Sequence, residues 1–136
     1  SSGSNSSASS NNEKVNKVIS LAKGKVGNRY VWGATGPNTF DCSGFTQWLY
    51  KQVGINIPRV SKDQSKYGKS VSRSNLQPGD LLFFNTSGSG VSHVGLYIGN
   101  GQMIHAANSK KGVRHDSITS GYYYNKFTNS CGVLII

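Results

Sequence analysis

The sequence predicts an α+β domain in which helices come first and a central antiparallel sheet of about five to six strands follows. Three observations carry this. Apolar residues recur at i, i+3 and i+4 in the first half of the chain, the helical spacing. From Leu81 onward the period changes to two, the strand spacing. Clusters of Gly, Pro, Asn and Ser separate the periodic runs. Helices ahead of a run of strands give the α+β class, and 136 residues are enough for one core without staples.

The elements follow in order. Residues 1–12 are almost entirely Ser, Asn and Gly, the composition of a flexible linker following another module of a longer chain; the domain proper is residues 13–136. A first helix is expected over 13–26, with Val15, Val18, Ile19 and Ala22 on its apolar face, Asn12 as N-cap and Gly27 at its end. Tyr30-Val31-Trp32-Gly33 is a short extended segment. A second helix opens at Cys42, buries Phe45, Trp48 and Leu49, and stops at Gly54. Ser61-Lys62-Asp63-Gln64 has the capping-box spacing and opens a third helix reaching Tyr67. After the turn Gln77-Pro78-Gly79-Asp80, strands are expected over 81–84, 93–98, 102–107, 113–115, 122–127 and 133–136.

The hairpin over 93–107 carries a parity constraint. Val94, Leu96 and Ile98 alternate on one strand, Ile104 and Ala106 on the next. For all of them to face one core, the turn must hold an odd number of residues or a bulge must shift the register. A three-residue Gly99-Asn100-Gly101 turn satisfies this and pairs Leu96 with Ile104 and Ile98 with Gln102. His93, Gly95, Tyr97, Met103 and His105 then share the opposite face, which brings two of the three histidines together.

Fifteen Lys and Arg against five Asp and Glu give a net charge of +10, which suits an anionic partner or surface. The basic residues are dispersed and no aromatic-interleaved basic stripe accompanies them, so nucleic acid is not the expected partner. No apolar run is long enough to span a bilayer. The two cysteines, Cys42 and Cys131, make no disulfide framework; Cys131, ahead of an apolar run, reads as a small core residue.

Cys42 is different. A thiol at a helix N-terminus feels the positive end of the macrodipole, which favours the thiolate by about 0.3–1 kcal/mol. From a starting pKa of about 8.5 that is not enough to ionise it at neutral pH, so a nucleophilic Cys42 needs an imidazole. His93, opening a strand, and His105, on the next strand, supply two. In a thiol-peptidase triad the first takes the thiol proton and returns it to the leaving amine, and the second orients the first. A nucleophile on a helix ahead of a sheet bearing the base is a stripped papain-like arrangement. Zinc held by the same three residues lacks any short ligand spacing, and the chemistry calls for no metal or organic cofactor. His115 reads as an exposed strand-end residue, and Asp80 as a turn residue.

Tyr30-Val31-Trp32-Gly33, Asp41-Cys42-Ser43-Gly44-Phe45, Pro58-Arg59-Val60-Ser61-Lys62-Asp63-Gln64, Pro78-Gly79-Asp80-Leu81, His93-Val94-Gly95 and Ile104-His105-Ala106 occur in this order. Together they closely resemble the NlpC family of bacterial cell-wall cysteine peptidases, over most of residues 13–136. Two positions depart from the pattern: Ala34, where the family often has a second glycine, and the Ser/Gly-rich loop 86–90. The resemblance implies hydrolysis of peptidoglycan stem peptides, most often between γ-D-glutamate and the diamino acid. It also implies a substrate groove lined by Tyr30, Asp41, Ser43, Arg59 and Ser61. It further implies a secreted, wall-associated enzyme; a monomer is the default expectation, and the linker-like residues 1–12 point to an additional N-terminal module. The alternatives are an amidase or cross-bridge peptidase with the same triad, and a non-catalytic wall-binding module.

Overall fold

Leu81–Phe84 is buried on both faces of the sheet it belongs to, and the rest of the molecule is arranged around that strand. A computed structural model describes residues 7–88 and 90–133, with side chains from Glu13 onward. The elements are α1 (Ser7–Gly24), β1 (Arg29–Tyr30), β2 (Thr39–Phe40), α2 (Cys42–Lys51), α3 (Ser61–Gln64), β3 (Lys69–Val71), β4 (Leu81–Phe84), β5 (His93–Gly99), β6 (Gln102–Ala106), β7 (Val113–Ser117), α4 (Gly121–Lys126) and β8 (Phe127–Gly132). Six strands form one antiparallel sheet in the order β3-β8-β4-β5-β6-β7, and β1 and β2 pair separately in parallel. The α+β, papain-like class holds.

One face of the sheet meets α1 and α2. Val18 and Ala22 from α1 and Phe45 and Leu49 from α2 pack on Leu81, Phe83, Val94, Leu96, Ile104 and Ala106. Each of the Val, Leu, Ile and Phe side chains among them contributes about 1.5–3 kcal/mol when fully buried. The hydroxyl of Tyr50, also on α2, donates to the carbonyl of Gly79 and so pins the helix to the turn ahead of β4. The opposite face carries a smaller cluster of Leu82, Phe84, Met103 and Ile118, with Tyr97, Tyr123 and Phe127 packed around it. The two clusters explain why Leu81–Phe84 is apolar without alternation: both of its faces are covered.

The structure corrects several expectations. Helix α1 begins at Ser7, so Asn12 lies inside it rather than capping it, and it ends at Gly24. Between residues 7 and 23 no glycine or proline interrupts the helix, so the Ser/Asn composition alone does not stop it; residues 1–6 lie outside the described residues. Helix α3 is shorter than expected and its N-cap is Val60, with no side-chain cap bond, because Gln64 is used elsewhere. The β5–β6 hairpin keeps Leu96 opposite Ile104 but pairs Gln102 with Gly99, not Ile98, through a bulge between Tyr97 and Gly99. Asn100 (φ 57°) and Gly101 (φ 73°) form a two-residue turn with both residues left-handed, the arrangement that matches strand twist. The bulge, not an odd turn, therefore preserves the parity. Tyr122-Tyr123-Tyr124 belongs to α4 rather than to a strand, and β8 begins at Phe127. Aromatic β-propensity yields there to the packing of Tyr123 against the sheet. Val133 follows β8 without joining a strand, and the remainder of the strand expected over 133–136 lies outside the described residues.

Candidate active site

Asp41 is the N-cap of α2, in extended backbone, and its carboxylate accepts from the backbone N–H of Gly44 at 2.6 Å and of Gly33 at 3.0 Å. Arg59 donates to both oxygens, at 3.2 and 2.8 Å, and to the Ser43 hydroxyl at 2.8 Å. One carboxylate thus starts the helix, holds the loop before it and anchors a cation. Gly44 has to be glycine: a Cβ there would run into the carbonyl of Ala34. Cys42 is consequently placed as the first residue of α2, half-buried, with its thiol directed at the carbonyl of Ser92, 4.0 Å away.

The electrostatics at Cys42 run against the helix-terminus expectation. Burial pushes its thiol up and the Asp41 carboxylate adds to this, outweighing backbone N–H groups of Val94, Ser43 and Cys42 that pull it down. The macrodipole is too weak to offset desolvation, and the resting group is the thiol.

Cys42 lies in a cleft of about 330 Å³ shared with Trp32, Gly33, Asp41, Ser43, Arg59, Val60, Ser61 and Ser92. Four of the five residues expected in a groove are therefore brought together around the thiol. Tyr30 lines a different cavity, yet its hydroxyl lies in the field of this cleft: burial first, then Cys42 and Asp41, raise it to about 12. Asp41 has both oxygens engaged by the protein, so what it presents to the cleft is the orientation of Arg59 and Ser43.

The imidazoles meet as the parity argument requires. His93 Nε2 lies 2.7 Å from His105 Nδ1, and His105 Nε2 lies 2.6 Å from Asp116 Oδ2. Gly95 makes room for this, because a side chain there would press on Met103 and His105. Tyr123 covers both rings, stacked on His93 with centroids 5.7 Å apart and edge-on to His105 at 4.8 Å. Burial, followed by repulsion from His105, drives His93 down to about 3. His105 is also held down by burial, against the pull of Asp116. Its contact with Asp116 is thus a hydrogen bond from a neutral ring to a carboxylate rather than an ion pair. Burial works to raise Asp116, but the hydrogen bond from His105 and the charges of Arg114 and Lys111 keep it below the ordinary carboxylate range. His93 and Asp116 open onto a second cavity of about 580 Å³ with Lys111 and Tyr123. Consecutive residues, Ser92 and His93, therefore line the two cavities.

Residues 27–131, a stretch running from the end of α1 through the site to β8, match the NlpC/P60 family. The chain belongs to that family. It is 50% identical over 101 residues to a probable endopeptidase p60 of Listeria seeligeri, covering 74% of this chain and 19% of that protein. It is 40% identical over 115 residues to a γ-D-glutamyl-L-lysine dipeptidyl-peptidase of Bacillus cereus, covering 83% of this chain and 34% of that one. Among solved structures, the NlpC/p60 domain of the peptidoglycan hydrolase SagA superposes with a TM-score of 0.76 at 33% identity, over 88% of this chain and 98% of that domain. The chain spans less than half the length of the curated relatives it matches.

Three residues of this NlpC/P60 domain escape sequence reasoning. Asp116 was visible only if the strand were carried past His115, which would have put Asp116 on the Arg114 face; His115 itself is exposed and makes no contact with the other two histidines. Tyr123 was concealed by the strand assignment. Gln64 looks like a cap, but its side chain donates to the carbonyls of Ser43 and Pro58 and accepts from the Thr46 hydroxyl. Cys131 is buried in β8 and is not disulfide-bonded; burial pushes its thiol to about 11.

Proposed function

We propose that this chain is a cysteine peptidase of bacterial peptidoglycan that cuts the stem peptide between γ-D-glutamate and the diamino acid. The observation that carries the reading is the convergence of the Cys42 thiol on Ser92 while the next residue, His93, begins a chain of imidazoles. His93 takes the Cys42 proton as the sulfur attacks the carbonyl carbon, forming the S–C bond. The backbone N–H of Cys42, left without a helical partner at the start of α2, receives the developing oxyanion. The C–N bond then breaks as the imidazolium returns its proton to the leaving amine, and water hydrolyses the thioester, regenerating the thiol. His105 orients His93 throughout. Thiol and imidazoles supply this chemistry without a metal or organic cofactor.

The cleft's charge supports this substrate. A γ-linked glutamate keeps its α-carboxylate free, and the half-exposed Arg59 guanidinium beside Ser43 and Ser61 is the matching cation on the acyl side. The cavity beyond His93 takes the leaving amine's side. A net charge of +10 fits action on an anionic wall outside the cell, by a monomeric domain joined to a further module ahead of α1. Among the described residues no helix is long and apolar enough to cross a membrane.

Incubation of disaccharide-bearing stem peptides with the wild type and Cys42→Ala, read by mass spectrometry, tests this. The expected product is cleaved after γ-D-glutamate by the wild type only, with the variant retaining the wild-type thermal midpoint. Cys42-dependent release of an intact stem peptide, or of a cut cross-bridge, reassigns the bond. A folded protein that binds the wall but cleaves nothing is a binding module.

A further inference from the structure

We infer that Asp116 is a positioning residue that, through His105, sets the tautomers of both imidazoles and leaves Nδ1 of His93 unprotonated, free to serve as the base for Cys42. The inference rests on the catalytic reading of Cys42, His93 and His105 given above, and goes beyond a three-residue site.

The partners assign each proton in turn. An ionised carboxylate only accepts, so the 2.6 Å contact with Asp116 Oδ2 puts the single N–H of neutral His105 on Nε2. His105 Nδ1 then holds a lone pair, and the 2.7 Å contact requires His93 to donate from Nε2. His93 is neutral, so its remaining nitrogen, Nδ1, is the base. Without an acceptor at the far end the chain has a second solution of equal hydrogen-bond count. His105 would carry its proton on Nδ1 and donate to His93 Nε2, and His93 would then carry its own proton on Nδ1. That tautomer accepts no proton. Asp116 excludes it.

The bland reading is a surface ion pair, since Asp116 also receives Arg114 Nε at 3.2 Å and its side chain is 23% exposed. The geometry points elsewhere. The shorter contact runs inward to a fully buried ring, and the same oxygen, Oδ2, takes both donors. Asp116 and His105 are on one face of the sheet, offset diagonally in the β6–β7 register, which sets Met103 opposite Asp116 and His105 opposite Arg114. Arg114 holds the carboxylate from outside and Tyr123 closes over His105 from α4, so the acceptor is fixed against the ring. The negative charge two rings away also favours the imidazolium formed on His93 during turnover.

Two measurements on the whole chain test the inference. In the wild type, ¹⁵N NMR of the histidine side chains should show both His93 and His105 protonated at Nε2 and bare at Nδ1. His93 carrying its proton on Nδ1 would overturn the inference, and this readout needs no substrate, so it stands even if the assigned bond proves wrong. In Asp116→Asn, the ¹⁵N pattern of the two rings should shift towards the Nδ1–H form and kcat for Cys42-dependent cleavage should fall about 10- to 100-fold in the folded protein, with KM unchanged. That is less than the about 10⁴-fold loss when a group touching the catalytic base itself is neutralised. A kcat within twofold of wild type, or a loss with both rings' tautomers unaltered, sinks the assignment.

Discussion

The thiol side of the cleft and the imidazole side differ in how they are built. Asp41, Cys42, Ser43 and Gly44 are contiguous, and one helix start places them all. His93, His105, Asp116 and Tyr123 come from β5, β6, β7 and α4, and only the sheet register and the helix laid over it bring them together. A site made by a helix cap depends on a few local hydrogen bonds. A site made by register depends on every strand between its members, because a one-residue slip turns each side chain to the other face. Leaving the reacting groups themselves aside, the difference teaches where damage to the supports should appear at neutral pH: as lost stability beside the thiol, as lost chemistry beside the imidazoles.

The strongest way to break this comparison is to remove the rings themselves. His93→Ala is expected to lower kcat by about 10²- to 10⁴-fold, the range of a general acid–base group, and His105→Ala to lower it less, because orientation contributes less than proton transfer. Steady-state kinetics on the two variants decides it; equal residual rates would show that the two rings are not divided into base and orienter.

A second test uses acid. His93 is held near 3 by burial, well below its unfolded value of about 6.5. A group with a depressed folded pKa stabilises fully above the unfolded value and loses that contribution as pH falls from about 6.5 towards 3. His105 and Asp116, both shifted down, act in the same direction. Chemical denaturation at pH 7 and pH 4 should therefore show a marked loss for the wild type and a smaller one for His93→Gln. An equal loss in both would move the acid sensitivity off the imidazole side.

The thiol side is sharpened by Gly44→Ala. Its Cβ would meet the Ala34 carbonyl, a backbone group that has no rotamer to escape into. The expected cost is about 1–3 kcal/mol of stability, read as a lower denaturation midpoint, while Cys42 in the folded fraction keeps its turnover. Unchanged stability with lost activity would reverse the assignment of damage to the two sides.

The same contrast explains what the sequence makes legible. Cys42 and its neighbours can be placed from a helical stripe and a cap, and the meeting of His93 with His105 follows from apolar parity alone, even though the structure reaches that parity by a bulge. The layered order of helix and sheet is equally open to pattern. Asp116 and Tyr123 are not, because each is defined by a partner distant in sequence and sits in a stretch whose local signal is ambiguous or misleading. A tyrosine triplet favours a strand, and only the fit of one ring onto two imidazoles makes it a helix. Asp41 shows the converse: its local role as a cap is plain, while its grip on Arg59, eighteen residues away, is a tertiary fact.

Gln64 has a consequence of its own. Its buried amide binds the Ser43 and Pro58 carbonyls and the Thr46 hydroxyl, and its main-chain carbonyl accepts from Cys131. The segment bearing Arg59 and the helix bearing the nucleophile are thereby welded into a single block, with the last strand attached. On the proposed reading, the wall that would receive the acyl group is therefore no adjustable flap. Anyone retuning this domain for a different peptide should exchange side-chain tips facing the cleft, since lengthening or shortening the segment between α2 and α3 would drag the nucleophile with it.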